Sequence, residues 1–177
     1  MKRKGLRHLS QEAFFMITTA ETSDLPDLVS LMRALNAYHA DHAPDRFHDR
    51  ACDADLLGLL QSAQADGARF LIYRTEGVAR GYLKWLPVPA AAPVMEHPRR
   101  QALLDHIYVE PIWRRRGLAS RLIARFEAEI AGHFDGWTVR VHAFNTASRA
   151  LMQRHGAEAT VLAYAKASSS SWSTNPR

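Results

Sequence analysis

The sequence predicts a single α/β (α+β) domain built on a mixed sheet, and three observations predict it. Short apolar stretches bounded by turn residues read as strands, and longer stretches carry apolar residues at helical spacing. These stretches run in the order strand, two helices, three or more strands, helix, strand, helix, strand, which suits helices packed on a mixed sheet. A length of 177 residues with 47% hydrophobic and 23% charged residues suits one domain with a substantial core. The domain is expected to cover residues 14–167, between a mobile basic arm at 1–13 and a disordered serine-rich tail at 168–177.

The first strand is expected at residues 14–19; Met16 within it is a candidate biological start. Ser23, Asp24 and Pro26 form a helix entry, a polar cap with proline in the first turn. The helix is expected over 24–38, with Leu28, Leu31, Met32 and Leu35 on one face. Residues 39–55 are dense in aspartate and histidine, and Pro44 breaks the helix. A second helix, 54–65, stops at Asp66 and Gly67. Residues 70–73 and 78–86 read as strands joined through Glu76 and Gly77. A proline- and alanine-rich connection at 87–100 leads to a strand at 103–109. The helix after it carries Leu118, Leu122, Ile123, Phe126 and Ile130. A strand at 137–143, a helix at 147–155 closed by Gly156, and a last strand at 161–166 complete the set.

Composition narrows the function. The formal charge of +5 admits a polyanionic ligand or nucleic acid, but no recognition helix or interleaved basic and aromatic surface supports the latter. The lone Cys52 excludes an internal disulfide and a cysteine-built metal site, and no metal is expected. No apolar run is long enough for a membrane span, and no signal-peptide core follows the basic start, so the expected compartment is the cytoplasm.

The chain is organised around residues 105–123. Pro111 ends a strand because it cannot donate to a ladder. Arg114, Arg115 and Arg116 then lead into a helix with Gly117 in its first turn. The free N–H groups of such a turn attract an anion, glycine lets it approach the backbone, and the arginines add charge. Residues alone therefore describe a phosphate or pyrophosphate cradle at a strand tip.

The same residues carry a resemblance. Arg114-Arg115-Arg116-Gly117-Leu118-Ala119, preceded by Val109-Glu110-Pro111 and Trp113 and followed by Asn145, Ser148, Leu151 and Gly156, resembles the GNAT superfamily of acetyl-CoA-dependent N-acetyltransferases over about residues 15–167. The resemblance implies a central mixed, mostly antiparallel sheet flanked by helices and splayed at the acetyl-CoA site. It implies that the backbone of Arg115, Arg116, Gly117, Leu118 and Ala119, with Arg114 and Ser120 beside it, holds the pyrophosphate. It also implies that the main chain of Ile107, Tyr108 and Val109 pairs with the pantetheine arm, that Asn145 binds it, and that a homodimer is possible. Two positions depart from the family: Met152 stands where a thiolate-protonating tyrosine is usual, and Ala157 where an aromatic often follows the glycine.

Acetyl transfer needs a neutral amine, a polarised thioester and a proton route to the thiolate. The backbone N–H near Val109 is a candidate oxyanion donor. Asp105 stands where the resemblance implies an acid serving as a base through water, or is a salt-bridged strand residue. Strand alternation places His106 and Tyr108 on the face opposite Asp105. His142 can act as a base near neutral pH, or sit hydrogen-bonded at a sheet edge. Tyr164 on the last strand could replace the missing tyrosine, or be a core residue. Tyr38, His39, His42 and the aspartates of 41–55 fall where the resemblance places the acceptor wall. The expected function is transfer of acetyl from acetyl-CoA to a primary amine of a small cationic molecule. A peptide or protein amine, and a non-catalytic CoA-binding module, are the alternatives.

Overall fold

The computed structural model describes residues 17–89, 94 and 97–166. The expected basic arm, the Met16 start and the serine-rich tail lie outside them. Five strands form one sheet in sequence order: β1 (Ile17–Thr19), β2 (Arg69–Thr75), β3 (Val78–Val88), β4 (Gln101–Val109) and β5 (Gly136–Val139). The first four pair antiparallel and β5 joins β4 parallel, giving the mixed, mostly antiparallel sheet. Helices α1 (Leu25–His42), α2 (Asp53–Ala65), α3 (Leu118–Ile130) and α4 (Thr146–Arg154) flank it.

Two apolar clusters divide the protein by sheet face. On one, Leu71, Leu83, Trp85 and Leu104 meet Leu122, Ile123 and Phe126 of α3 and Met152 of α4. On the other, Phe70, Ile72 and Tyr82 meet Leu25, Leu28 and Leu31 of α1 and Leu56 and Leu60 of α2. In β2 the assignment follows the two-residue period: Phe70 and Ile72 go one way, Leu71 and Tyr73 the other.

In β3 and β4 that period breaks, at a bulge in each. Tyr73 pairs with Gly81 but Arg74 with Ala79, leaving Arg80 as the extra residue. Lys84 pairs with His106 but Trp85 with Leu104, leaving Asp105 extra. A bulge inserts one residue against one partner and shifts the alternation beyond it. Ala102 and Leu104 therefore face the α3 side, as do Ile107 and Val109, while Tyr108 faces α1.

Three expected elements differ. The helix expected to end at 38 continues to His42, because proline disfavours helix at the residue before it, Ala43, rather than a turn earlier. The strand expected over 137–143 is paired only as Gly136–Val139, because its ladder with β4 stops at Leu104, just before the bulged Asp105. Residues 161–166 form no strand: Val161, Leu162 and Tyr164 are exposed, and among the described residues no neighbouring strand offers them a ladder.

Candidate active site

The site begins where pairing stops. β5 accompanies β4 only from Gln101 to Leu104, so, among the described residues, 105–109 have β3 on one side and an open edge on the other. The open half is about five residues long, roughly 16 Å of strand. Its far end is held against β3 by a close approach. A side chain on Gly81 would place its Cβ 2.9 Å from the Tyr108 carbonyl and 3.1 Å from Val109 Cγ2, so this position takes glycine.

Beyond Val109, one turn of 3-10 helix, Pro111–Trp113, leads into the arginine loop. Arg115 (φ 59°) and Gly117 (φ 76°) both lie in the left-handed region, and Gly117 caps α3. Among the described residues, the N–H groups of Arg115, Arg116, Gly117, Leu118, Ala119 and Ser120 donate to no protein acceptor. Nothing lies within 4 Å of where a Gly117 side chain would begin. The loop is thus an open concavity of unpaired donors, the arrangement that binds an anion.

The arginines do less here than their sequence suggests. Arg114 Nε donates to the Val109 carbonyl at 2.9 Å, and its guanidinium lies 5.5 Å from the Tyr108 ring centroid. Arg116 lies over Trp113 at 4.9 Å. Both fasten the loop to the strand end. Tyr108, named above for its main chain, turns its ring toward α1.

At the other end of the open half stands a polar group built on the bulge. Asp105 Oδ2 is 2.7 Å from Lys84 Nζ and 3.7 Å from His106 Nε2. Asp105 and His106 therefore share a side, contrary to the alternation expected from sequence, because the bulge directs two successive side chains the same way. Tyr82 is fully buried, and its hydroxyl lies 3.2 Å from His106 Nδ1. Burial drives the Tyr82 pKa up, so its hydroxyl keeps its proton within hydrogen-bond distance of Nδ1. Burial lowers His106 to about 4, outweighing the pull of Asp105, so the ring is neutral at pH 7. Burial alone would raise Asp105, but the Lys84 hydrogen bond and the charges of His106, Lys84 and Arg140 hold it below the usual carboxylate range.

Rings from three segments gather beside this group. His39 lies 5.3 Å from His142 and 5.1 Å from Phe47, and Phe144 stacks parallel to His142 at 5.3 Å. Tyr38 and His42 close the cluster against Phe144. Burial lowers His39, and neighbouring His142 and His42 lower it further; burial and then Arg46 lower His142.

Of the remaining expected residues, Asn145 caps α4, its side-chain oxygen accepting from Ser148 N at 3.0 Å. Its amide N–H groups make no bond to a described residue and are left for a ligand. Met152 is buried in the α3-side core. Tyr164 is 91% exposed on an irregular segment, so the strand that was to aim it at a thiol does not form. Among the described residues, no group of three or more His, Cys, Asp or Glu is placed to hold a metal. Cys52 is exposed and caps α2 with Asp55, whose carboxylate accepts from Cys52 N at 2.9 Å. A cavity of about 400 Å³ lies between α1 and the end of β4, lined by Ser30, Ala34, Arg80, Tyr108 and Glu110 among others.

Sequence reasoning passed over Lys84, Phe47 and Phe144. Lys84 had a signal, being the one charge in the apolar run from Tyr82 to Leu86. The two phenylalanines had none, because three segments distant in sequence bring the rings together.

A sheet splayed beside a strand-loop-helix anion cradle defines a class of acyl-group transferase, and comparison with known proteins agrees. Residues 28–157 match the acetyltransferase (GNAT) family, and the chain belongs to that family. It shares its fold with a tetramutant of the BH1408 protein from Bacillus halodurans (14% identity, TM-score 0.75, covering 85% of this chain and 98% of that one). A ribosomal-protein-alanine N-acetyltransferase from Brucella melitensis biovar Abortus 2308 is similar too (22% identity, TM-score 0.63, 85% and 97% covered). So is the aminoglycoside N-acetyltransferase AAC(6')-Iy in complex with CoA (24%, TM-score 0.62, 85% and 93%). No curated protein matches the chain in sequence. Among the described residues, no helix is long and apolar enough to cross a membrane.

Proposed function

We propose that this acetyltransferase moves the acetyl group of acetyl-CoA directly to a primary amine of a small cationic molecule. The observation that carries the proposal is the continuity of the open half of β4 with the unpaired donors of the arginine loop. In this reading the N–H groups of residues 115–119, with Ser120 beside them, hold the pyrophosphate. The pantetheine arm runs back along Val109, Tyr108 and Ile107 as an added strand. An Asn145 amide N–H donates to one of its carbonyls. The two acetyltransferases above act, by name, on an aminoglycoside and on a ribosomal-protein alanine, and so support an amine as acceptor.

An arm laid on β4 from the loop brings the thioester toward Asp105 and His106. The ionised Asp105 holds a water that strips one proton from the acceptor ammonium. The freed nitrogen attacks the thioester carbonyl, a backbone N–H of open β4 stabilises the oxyanion, and the C–S bond breaks. Met152 has no proton to give, so as the C–S bond breaks the second proton of the attacking nitrogen passes through water to the departing thiolate. His142 is the alternative base, because its lowered pKa keeps it unprotonated at neutral pH. The reducing cytoplasm suits the single, exposed Cys52.

Thiol release from acetyl-CoA, measured with a chromogenic disulfide over a panel of amines, tests this reading. Turnover that falls in Asp105→Ala while the KM for acetyl-CoA holds is expected. Acetyl-CoA producing neither a thermal shift nor turnover would overturn it.

A further inference from the structure

The proposed reading names an amine but not the body that carries it, and the ring cluster bears on that body. Tyr38, His39 and His42 come from the end of α1, Phe47 from the loop after it, and His142 and Phe144 from the loop between β5 and α4. None of the six belongs to either buried core, and all keep some solvent exposure, so core packing does not account for them. Their location joins them to the reaction. His39 touches His142 on the β5 side of the splay, and its charge is felt by His106 on the β4 side.

The electrostatics of the cluster argue against a polycation. The nearest described carboxylate in the polar group, Asp105, is already neutralised by Lys84. Asp41 and Asp45 are exposed and bond to none of the six rings, and no carboxylate contributes to the shifts of His39 or His142. The charge that does reach the cluster is positive: Arg46 lies 5.5 Å from the Phe47 centroid and acts on His142. The surface is therefore a set of planar rings beside Arg46, with burial lowering the pKa of His39 and of His142. A linear polyamine or an aminoglycoside would bring extra ammonium groups against Arg46, and no carboxylate is bonded to the six rings. A flat aromatic body carrying a single amine would stack on these rings and need nothing more.

We infer that the acceptor is an arylalkyl monoamine, its aromatic ring seated on the Phe47, His142 and Phe144 rings and its amine directed to the Asp105–His106 end of the open strand. The inference rests on the acetyltransferase reading above.

The test is CoA release with four amines at matched concentration: 2-phenylethylamine, its saturated analogue 2-cyclohexylethylamine, spermidine and kanamycin. The phenyl compound is expected to give the highest kcat/KM. Its margin over the cyclohexyl compound should be roughly threefold to tenfold, the range aromatic pairing supplies beyond apolar burial. Phe144→Leu should raise the KM for 2-phenylethylamine by a similar factor, with kcat and the acetyl-CoA thermal shift little changed. Highest turnover with spermidine or kanamycin overturns the aromatic assignment and leaves the acetyltransferase reading standing. Equal rates for the phenyl and cyclohexyl amines, or an indifferent Phe144→Leu, also overturn it. Release from none of the four, with acetyl-CoA bound, overturns the arylalkyl assignment alone, whereas absence of acetyl-CoA binding as well sinks both.

Discussion

The two halves of β4 belong to one strand and have different fates. From Gln101 to Leu104 the strand is flanked by β3 and β5, and Ala102 and Leu104 lie in the dry core. From Asp105 to Val109 it is flanked, among the described residues, on one side only, and it begins with a bulged aspartate in a polar network. One inserted residue separates them. The bulge reverses which side chains face which layer, follows directly on the end of the ladder with β5 and sets Asp105 beside His106. The paired half is structure, and the open half is available for a ligand to complete the sheet.

Substitutions in each half should separate stability from binding. The largest effect is expected at the tip of the open half. Gly117→Glu puts a carboxylate into the cradle, where like charge costs several kcal/mol, and should weaken acetyl-CoA roughly thousandfold in calorimetry. The fold should hold, because nothing packs against that position. In the paired half, Leu104 is 1% exposed, and Leu104→Ala should cost about 3 kcal/mol in denaturant unfolding by opening a cavity. Acetyl-CoA affinity, corrected for the unfolded fraction, should change little.

The bulge group has its own signature in pH. Burial lowers His106 from the ordinary 6.5 to about 4. Between those values the unfolded chain holds more protons than the folded one, so stability should rise with pH across that window and level off above it. The rise should be about 3 kcal/mol in all, followed by thermal unfolding, and His106→Gln should flatten most of it. The smallest effect distinguishes two duties of Asn145. Asn145→Asp keeps the oxygen that caps α4 and loses the amide N–H, so melting should hold. The KM for acetyl-CoA should rise roughly threefold to tenfold, the worth of about one hydrogen bond.

These contrasts mark how far the sequence could be read. The order of elements, the cradle at Gly117 and the strand that feeds it were legible because they are local: periodicity, a proline stop and a glycine cap. The bulge was not, since an extra residue shows only against a partner strand, and without it Asp105 and His106 were placed on opposite faces. Residues 161–166 carry strand-forming side chains, but propensity does not supply a neighbour to pair with. Tyr38, His39, His42 and His142 were named from sequence, but that they meet Phe47 and Phe144 in one cluster was invisible for the same reason in three dimensions. His39 and His142 lie far apart in the chain, and only the crossing of α1 over the splay brings them within 5.3 Å.

In the proposed reading the cofactor completes the open half of β4 and the arginine loop. Amide hydrogen exchange, with and without acetyl-CoA, tests this most directly. Slowed exchange is predicted in residues 105–109 and 115–120, with residues 101–104 unchanged because they are already paired on both sides. Protection confined to the cavity around Ser30 and Ala34, with the loop and the open half exchanging as before, would contradict it.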